Sequence, residues 1–170
     1  MSKSRLHQLA DFGQSVWIDF LSRDMLRSGK LERMMREDAV VGVTSNPTIF
    51  QKAISSGDAY DEQLREVVRE ERDPKEIFVR LATKDVGDAL DLLRTVWDEG
   101  SGRDGYVSLE VDPNLAYDTE GTIDEAQRLH ELVDRPNLFV KIPATKAGLP
   151  AIEEMISRGR SINVTLIFGL

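Results

Sequence analysis

The sequence predicts an α/β fold in which parallel strands alternate with helices and the sheet curls as in a (β/α)8 TIM barrel, with the first five β/α units present. Three observations predict it. Five runs near 16–20, 39–45, 106–112, 138–144 and 161–168 have strand character and are separated by stretches of helical periodicity, which is the pattern of crossover units and a parallel sheet. Each run also carries a polar group on the side opposite its apolar one, because residues two apart in a strand share a side. Finally, no G-x-G-x-x-G or G-x-x-x-x-G-K-[ST] run follows any strand, so an open doubly wound sheet explains the polar positions less well than a barrel whose polar side converges near its mouth.

The elements follow in order. Leu6 to Ala10 reads as a short amphipathic helix with Leu6, Leu9 and Ala10 on one face, ended by Gly13. Val16-Trp17-Ile18-Asp19-Phe20 is a short strand carrying one acid. Residues 21–37 are mostly helical with Gly29 as a break, and Leu31, Met34 and Met35 at helical spacing read as core. Ala39 to Thr44 is the second strand, running into Ser45-Asn46-Pro47-Thr48, where proline stops pairing and starts a helix. From Ile49 to Gly100 the pattern is helical almost throughout, with Asp73-Pro74-Lys75-Glu76 as a capped helix start. The charges between Arg65 and Arg72 read as a solvated face. Tyr106 to Asp112 alternates as a strand, Thr122-Ile123-Asp124-Glu125 has capping-box spacing, and a helix carrying Ala126, Leu129 and Leu132 ends before Pro136. A helix from Gly148 with Ile152, Met155 and Ile156 as its stripe closes at Gly159, before the last strand. His7 and His130 read as surface or packing residues, Trp17 and Trp97 as core.

Composition narrows the class. With 170 residues, 41% hydrophobic and 31% charged, the chain is expected to form one domain, 1–170, around one sizeable core. A formal net charge of -8 argues against nucleic acid or an anionic membrane as partner, while leaving room for a local basic pocket for an anionic metabolite. The absence of cysteine excludes disulfides, thiolate metal sites and cysteine nucleophiles. The stretch from Met1 to His7 lacks the apolar core of a signal peptide, and no apolar run approaches membrane-spanning length. A cytoplasmic location is the expectation.

The chemistry centres on Lys141. Asn137 to Thr145 is an apolar run bounded by Pro136 and Pro143, with one lysine at its centre. An ammonium there must be paired, must snorkel to an edge, or must exist as the neutral amine. The last form attacks carbonyls to give a Schiff base; a structural lysine is the plainer reading. Parity adds company: Ser108, Glu110 and Asp112 share one side of their strand, Asn163 and Thr165 share one side of theirs, and Thr44 and Asn46 point together. With Asp19, this convergence favours a catalytic Lys141.

At this point a family resemblance becomes visible. Thr44-Ser45-Asn46-Pro47-Thr48-Ile49-Phe50, Ser108-Leu109-Glu110-Val111-Asp112-Pro113, Phe139-Val140-Lys141-Ile142-Pro143-Ala144-Thr145 and Ile162-Asn163-Val164-Thr165-Leu166-Ile167-Phe168 resemble the signature strands of transaldolase. Their order and spacing match as well, and with Trp17-Ile18-Asp19 the resemblance covers essentially the whole chain. The long helical insertion between the second and third strands resembles the family's longer-chain members. The resemblance implies a barrel of the class I aldolase type and a pentose phosphate pathway enzyme. It would move a dihydroxyacetone unit from sedoheptulose 7-phosphate to glyceraldehyde 3-phosphate, giving erythrose 4-phosphate and fructose 6-phosphate. By motif position it implies Lys141 as the Schiff-base nucleophile and Asp19 as the general acid/base. Glu110 and Thr165 would hold the proton-shuttling water, and Asn46 and Asn163, with Thr44 and Ser108 beside them, would bind the dihydroxyacetone hydroxyls. No metal or other cofactor is required, since the protonated imine does the polarising.

Other readings stay open. Asp19 also suits a helix N-cap, Asp112 before Pro113 suits a turn, and Asn163 and Thr165 suit the satisfaction of buried backbone groups. A metal-assisted barrel enzyme would use Asp19, Glu110 and Asp112 as oxygen ligands. A closed barrel takes about 250 residues and eight strands, so the chain is expected to be the N-terminal part of a longer enzyme. The phosphate-binding serine and arginine of the family belong to later strands. Partners expected are sugar phosphates and either a further copy of the chain or a complementing C-terminal half-barrel, the exposed sheet edges inviting both. A non-catalytic fragment acting as assembly partner is the alternative.

Overall fold

The strands β1 (Val16–Ile18), β2 (Val40–Thr44), β3 (Tyr106–Glu110), β4 (Leu138–Pro143) and β5 (Ile162–Thr165) follow one another in the sheet in the order β1-β2-β3-β4-β5. The order never reverses, as it would at the switch point of a doubly wound sheet, and it is the order of strands in a (β/α)8 barrel. The computed structural model describes residues 4–45 and 47–169, the side chain of Ile49 apart. Two compact units divide the chain, Met1–Val107 and Ser108–Leu170, the boundary falling inside β3. No helix among the described residues is long and apolar enough to cross a membrane.

In the first unit β1 and β2 pair in parallel, with Trp17 opposite Gly42 and Ile18 opposite Val43. Gly42 is required there: a Cβ would stand 2.2 Å from an indole carbon of Trp17. The N–H of Gly105 donates to the carbonyl of Val41 at 2.8 Å, extending the ladder toward β3. The strand predicted over 16–20 ends at Ile18, so Asp19 and Phe20 lie outside the ladder. The chain leaves it because Leu21 is drawn fully into the core and Ser22 caps the helix α1 (Arg23–Arg27), accepting the N–H of Met25. That cap is Ser22, not Asp19. Gly29, at a φ of 67°, breaks the path into α2 (Lys30–Asp38) as predicted. Of the α2 residues read as core, Leu31 is buried and Met34 and Met35 are half-buried.

The predicted helical stretch resolves into α3 (Pro47–Ser55), α4 (Asp61–Glu70) and α5 (Pro74–Glu99). Asp73 caps α5 by accepting the N–H of Lys75, with Pro74 at the first helical position. The face of α5 that carries Leu81, Val86, Leu90 and Leu93 is buried. It also buries Asp85, which sequence reading passed over. Arg23 donates from Nε to Asp85 Oδ1 at 2.8 Å, the Tyr60 hydroxyl donates to Asp85 Oδ2 at 2.7 Å, and the Arg23 guanidinium stands 4.3 Å over the Tyr60 ring. Burial, aided by the Asp85 carboxylate, holds the Tyr60 phenol far above its ordinary pKa.

The opening segment differs from expectation: Arg5–Phe12 is a 3-10 helix, closed by Gly13 in the left-handed region. At three residues per turn Leu6, Leu9 and Phe12 line up, and all three are exposed rather than packed.

In the second unit β4 and β5 pair in parallel, Lys141 opposite Asn163 and Pro143 opposite Thr165. The N–H of Val111, just beyond β3, donates to the carbonyl of Lys141 at 3.2 Å. Helix α6 (Thr119–Val133) starts three residues before the predicted capping box. Asp118 is its cap, accepting the N–H of Gly121, and Thr122 instead buries its hydroxyl on the carbonyls of Leu115 and Asp118. In α7 (Gly148–Ser157) the buried residues are Gly148, Ala151, Ile152 and Met155, while Ile156 is exposed, since it lies about 100° around the helix from Met155. The last strand stops at Thr165 rather than 168 because Leu166 takes a φ of 63°, a conformation no strand holds.

His130, on α6, is a buried packing residue whose Nε2 finds no hydrogen-bond partner among the described residues. Burial, with the Arg160 cation nearby, pushes the imidazole below its ordinary pKa, against a smaller opposing pull from the Ser161 backbone. In the unfolded chain the ring takes up its proton near pH 6.5. Between that value and the lower folded one the unfolded state binds more protons, so stability falls as pH falls. Urea midpoints measured from pH 7.5 to 5 are expected to decline below about pH 6.5, and His130→Gln is expected to flatten that decline; an unchanged slope in the variant assigns the acid sensitivity elsewhere.

Candidate active site

The second unit holds six of the residues singled out by parity, Ser108, Glu110, Asp112, Lys141, Asn163 and Thr165. Glu110 ends β3, Lys141 sits in the middle of β4, and Asn163 and Thr165 belong to β5. Residues in register on neighbouring parallel strands point to the same side. Lys141 and Asn163 therefore share a side, as do Pro143 and Thr165, while Val140 and Ile142 turn into the core with no exposure. Lys141 Nζ lies 3.5 Å from Glu110 Oε2, with side-chain exposures of 13% and 23%. Of the three states open to a lysine in this strand, the paired one is observed. A half-buried amine facing a carboxylate can pass and receive protons without bulk solvent in between, which is what carbonyl addition and dehydration ask of a site. Ser108 is fully buried in β3.

Thr165 departs from one reading of the sequence. Its Oγ1 is buried with no hydrogen-bond partner among the described residues, so it does not satisfy the backbone. It retains its capacity to bind a hydroxyl or a water on the side of the sheet that carries Lys141.

The loops at the C-terminal ends of β3 and β4 are fixed to each other. Thr145 donates its hydroxyl to the carbonyl of Ala116 and accepts the N–H of Gly148 at 2.9 Å, and Thr119 donates to the carbonyl of Ala147 at 2.7 Å. Gly148 has no room for a side chain, because a Cβ would stand 2.0 Å from the carbonyl oxygen of Pro143. The sequence reading assigns this role to neither Thr145 nor Gly148, although the three-residue spacing from a hydroxyl to the N–H it accepts is its signal. Asp112 takes the turn role expected of it, accepting the N–H of Asn114 to open a short 3-10 turn.

In the first unit, Asp19 is exposed just beyond β1 and Thr44 is the half-buried last residue of β2. Asn46, expected to bind substrate, lies outside the described residues. Among the described residues no three histidine or acidic side chains cluster in a way that could hold a metal ion.

Comparison with known proteins bears on this arrangement. Residues 16–170 match the family described as Transaldolase/Fructose-6-phosphate aldolase. The chain is 55% identical over 165 residues to Transaldolase 1 of Streptomyces coelicolor, an alignment covering 97% of this chain and 43% of that protein. It is 55% identical to the transaldolase of Frankia alni, covering 97% and 44%, and 53% identical to that of Parafrankia sp., covering 100% and 46%. The chain thus spans less than half the length of the curated relatives it matches.

Proposed function

We propose, for a chain that belongs to the transaldolase/fructose-6-phosphate aldolase family, that Lys141 forms a Schiff base with a ketose phosphate and that the chain contributes the amine centre of a transaldolase. The observation that carries this is the Lys141–Glu110 pair at 3.5 Å, on a strand side shared with Asn163. The proposed reaction transfers a dihydroxyacetone unit from sedoheptulose 7-phosphate to glyceraldehyde 3-phosphate. Lys141 adds to the ketose carbonyl, and loss of water gives the imine. Glu110, with the unpartnered hydroxyl of Thr165, holds the water that carries protons through this step. Asp19 takes the proton from the hydroxyl at the breaking carbon–carbon bond, and the imine receives the electron pair. Asn46 and Asn163, with Thr44 and Ser108, hold the hydroxyls of the three-carbon unit.

The partner proposed is a segment that completes the barrel, supplied by a longer polypeptide, a complementing half or another copy. Support comes from β5, which ends the strand order and leaves Val164, on its apolar side, exposed. Borohydride reduction of the purified 170-residue chain with fructose 6-phosphate, followed by intact-mass measurement and peptide mapping, tests the reading. A three-carbon adduct confined to Lys141 is expected. An adduct spread over several lysines, or none in a chain shown to be folded by circular dichroism, overturns it in favour of a non-catalytic assembly partner.

A further inference from the structure

The first unit contains a second feature that the Lys141 chemistry does not use. Helices α1, α4 and α5 enclose a cleft of about 370 Å³ lined by charges from all three, within the size range of small-molecule sites. Its charges are arranged unequally. On α5, Lys84 and Asp88 face each other one turn apart and neutralise one another. On α1, Arg27 makes no ion pair with any described residue, and on α4 neither Glu62 nor Glu66 does. Cation and anions therefore face one cleft without closing on each other.

Arg23 shows that the cleft is built rather than incidental. Its side chain is 7% exposed, and Nε and Nη2 are fixed by Asp85, Gln63 and the carbonyl of Leu81. The remaining nitrogen, Nη1, makes no hydrogen bond to a described residue and is not sealed from solvent. Held on three sides and stacked on Tyr60, the guanidinium presents a pre-oriented pair of donors, and little side-chain freedom is lost when an anion takes them. Arg27, one helical turn further on, stands on the same face.

We propose that this cleft binds a small zwitterion, its carboxylate on Arg23 Nη1 and Arg27 and its ammonium between Glu62 and Glu66. An anion alone leaves the two glutamates facing its negative charge, and a cation alone leaves Arg27 and Arg23 facing its positive one. A molecule carrying both charges satisfies both walls. The inference rests on the first unit by itself and stands whether or not Lys141 forms an imine.

The test is titration of the 170-residue chain with linear ω-amino acids from glycine to 6-aminohexanoate, with butyrate and butylamine as single-charge controls, followed by the NMR signal of the Arg23 Nε–H. For at least one length the signal is expected to move saturably, with a Kd about tenfold or more below that of either control, as one lost charged contact implies. Arg27→Gln and Glu66→Gln, both at exposed positions, are each expected to weaken binding by about tenfold, while Lys84→Gln changes it by less than about threefold. No saturable shift with any length, butyrate or butylamine binding as tightly as the best amino acid, or indifference to Arg27→Gln overturns the proposal.

Discussion

Replacing Asp85 with asparagine is expected to destabilise the chain by about 3–5 kcal/mol, the cost of leaving one member of a buried ion pair without its partner. The Asp85 side chain has no exposure and that of Arg23 has 7%, so solvent does not screen the charge left behind. Burial is the largest influence on the Asp85 carboxyl and pushes its pKa up, with the Tyr60 hydroxyl and the Arg23 guanidinium opposing it. The pair is therefore a poor source of net stability but a sensitive one. Asparagine keeps the shape, removes the counter-charge, and turns an N–H2 toward the donors of Tyr60 and Arg23. For a chain of this length the loss corresponds to a fall in Tm of roughly 6–20 °C. The double replacement Arg23→Met with Asp85→Leu separates the pair's net worth from the penalty of breaking it. It is expected to recover most of the loss, because apolar residues of similar volume substitute for buried pairs at little cost. Urea unfolding of all three proteins checks both statements, and an Asp85→Asn midpoint equal to that of the parent chain rules them out.

The same network shows where sequence reading stops. Arg23 and Asp85 are 62 residues apart, each sits in an ordinary helical pattern, and nothing local marks either as buried. By contrast, the set Ser108, Glu110, Lys141, Asn163 and Thr165 was legible because strand parity is a geometric fact that survives any tertiary arrangement. Strand ends were not. β1 stops where Leu21 and Ser22 are claimed by the core and by α1, and β5 stops where Leu166 turns left-handed; each is a consequence of neighbours the local pattern does not contain. The start of α6 was misplaced because Asp118 and Thr122 are both competent caps, and the carbonyls of Leu115 and Asp118 decide which hydroxyl or carboxylate serves. Thr145 and Gly148 carry the contact between two loops, where backbone clearance rather than residue type sets the constraint.

Glu110→Gln is expected to slow borohydride-trapped adduct formation at Lys141 by about 10²–10⁴-fold, the range over which a positioned acid or base accelerates proton transfer. Glutamine keeps the length and planarity of the side chain 3.5 Å from Lys141 Nζ and can still accept a hydrogen bond. What it cannot do is take a proton from the ammonium or return one to the departing hydroxyl. Stability should change far less than in Asp85→Asn, because Lys141 and Glu110 keep 13% and 23% of their side-chain surface open to water. Solvent then screens part of the orphaned charge, and a cost of about 1–3 kcal/mol covers a half-buried polar group left without its charged partner. The contrast between the two variants is the informative result. Asp85→Asn should lower stability and leave the trapping rate of the remaining folded chain intact, whereas Glu110→Gln should slow trapping at a smaller cost in stability. A Glu110→Gln chain that traps at the parent rate would mean that the carboxylate only neutralises Lys141. The proton relay would then have to be sought in Asp19 or Thr165, and trapping by Asp19→Asn and Thr165→Val would decide between them.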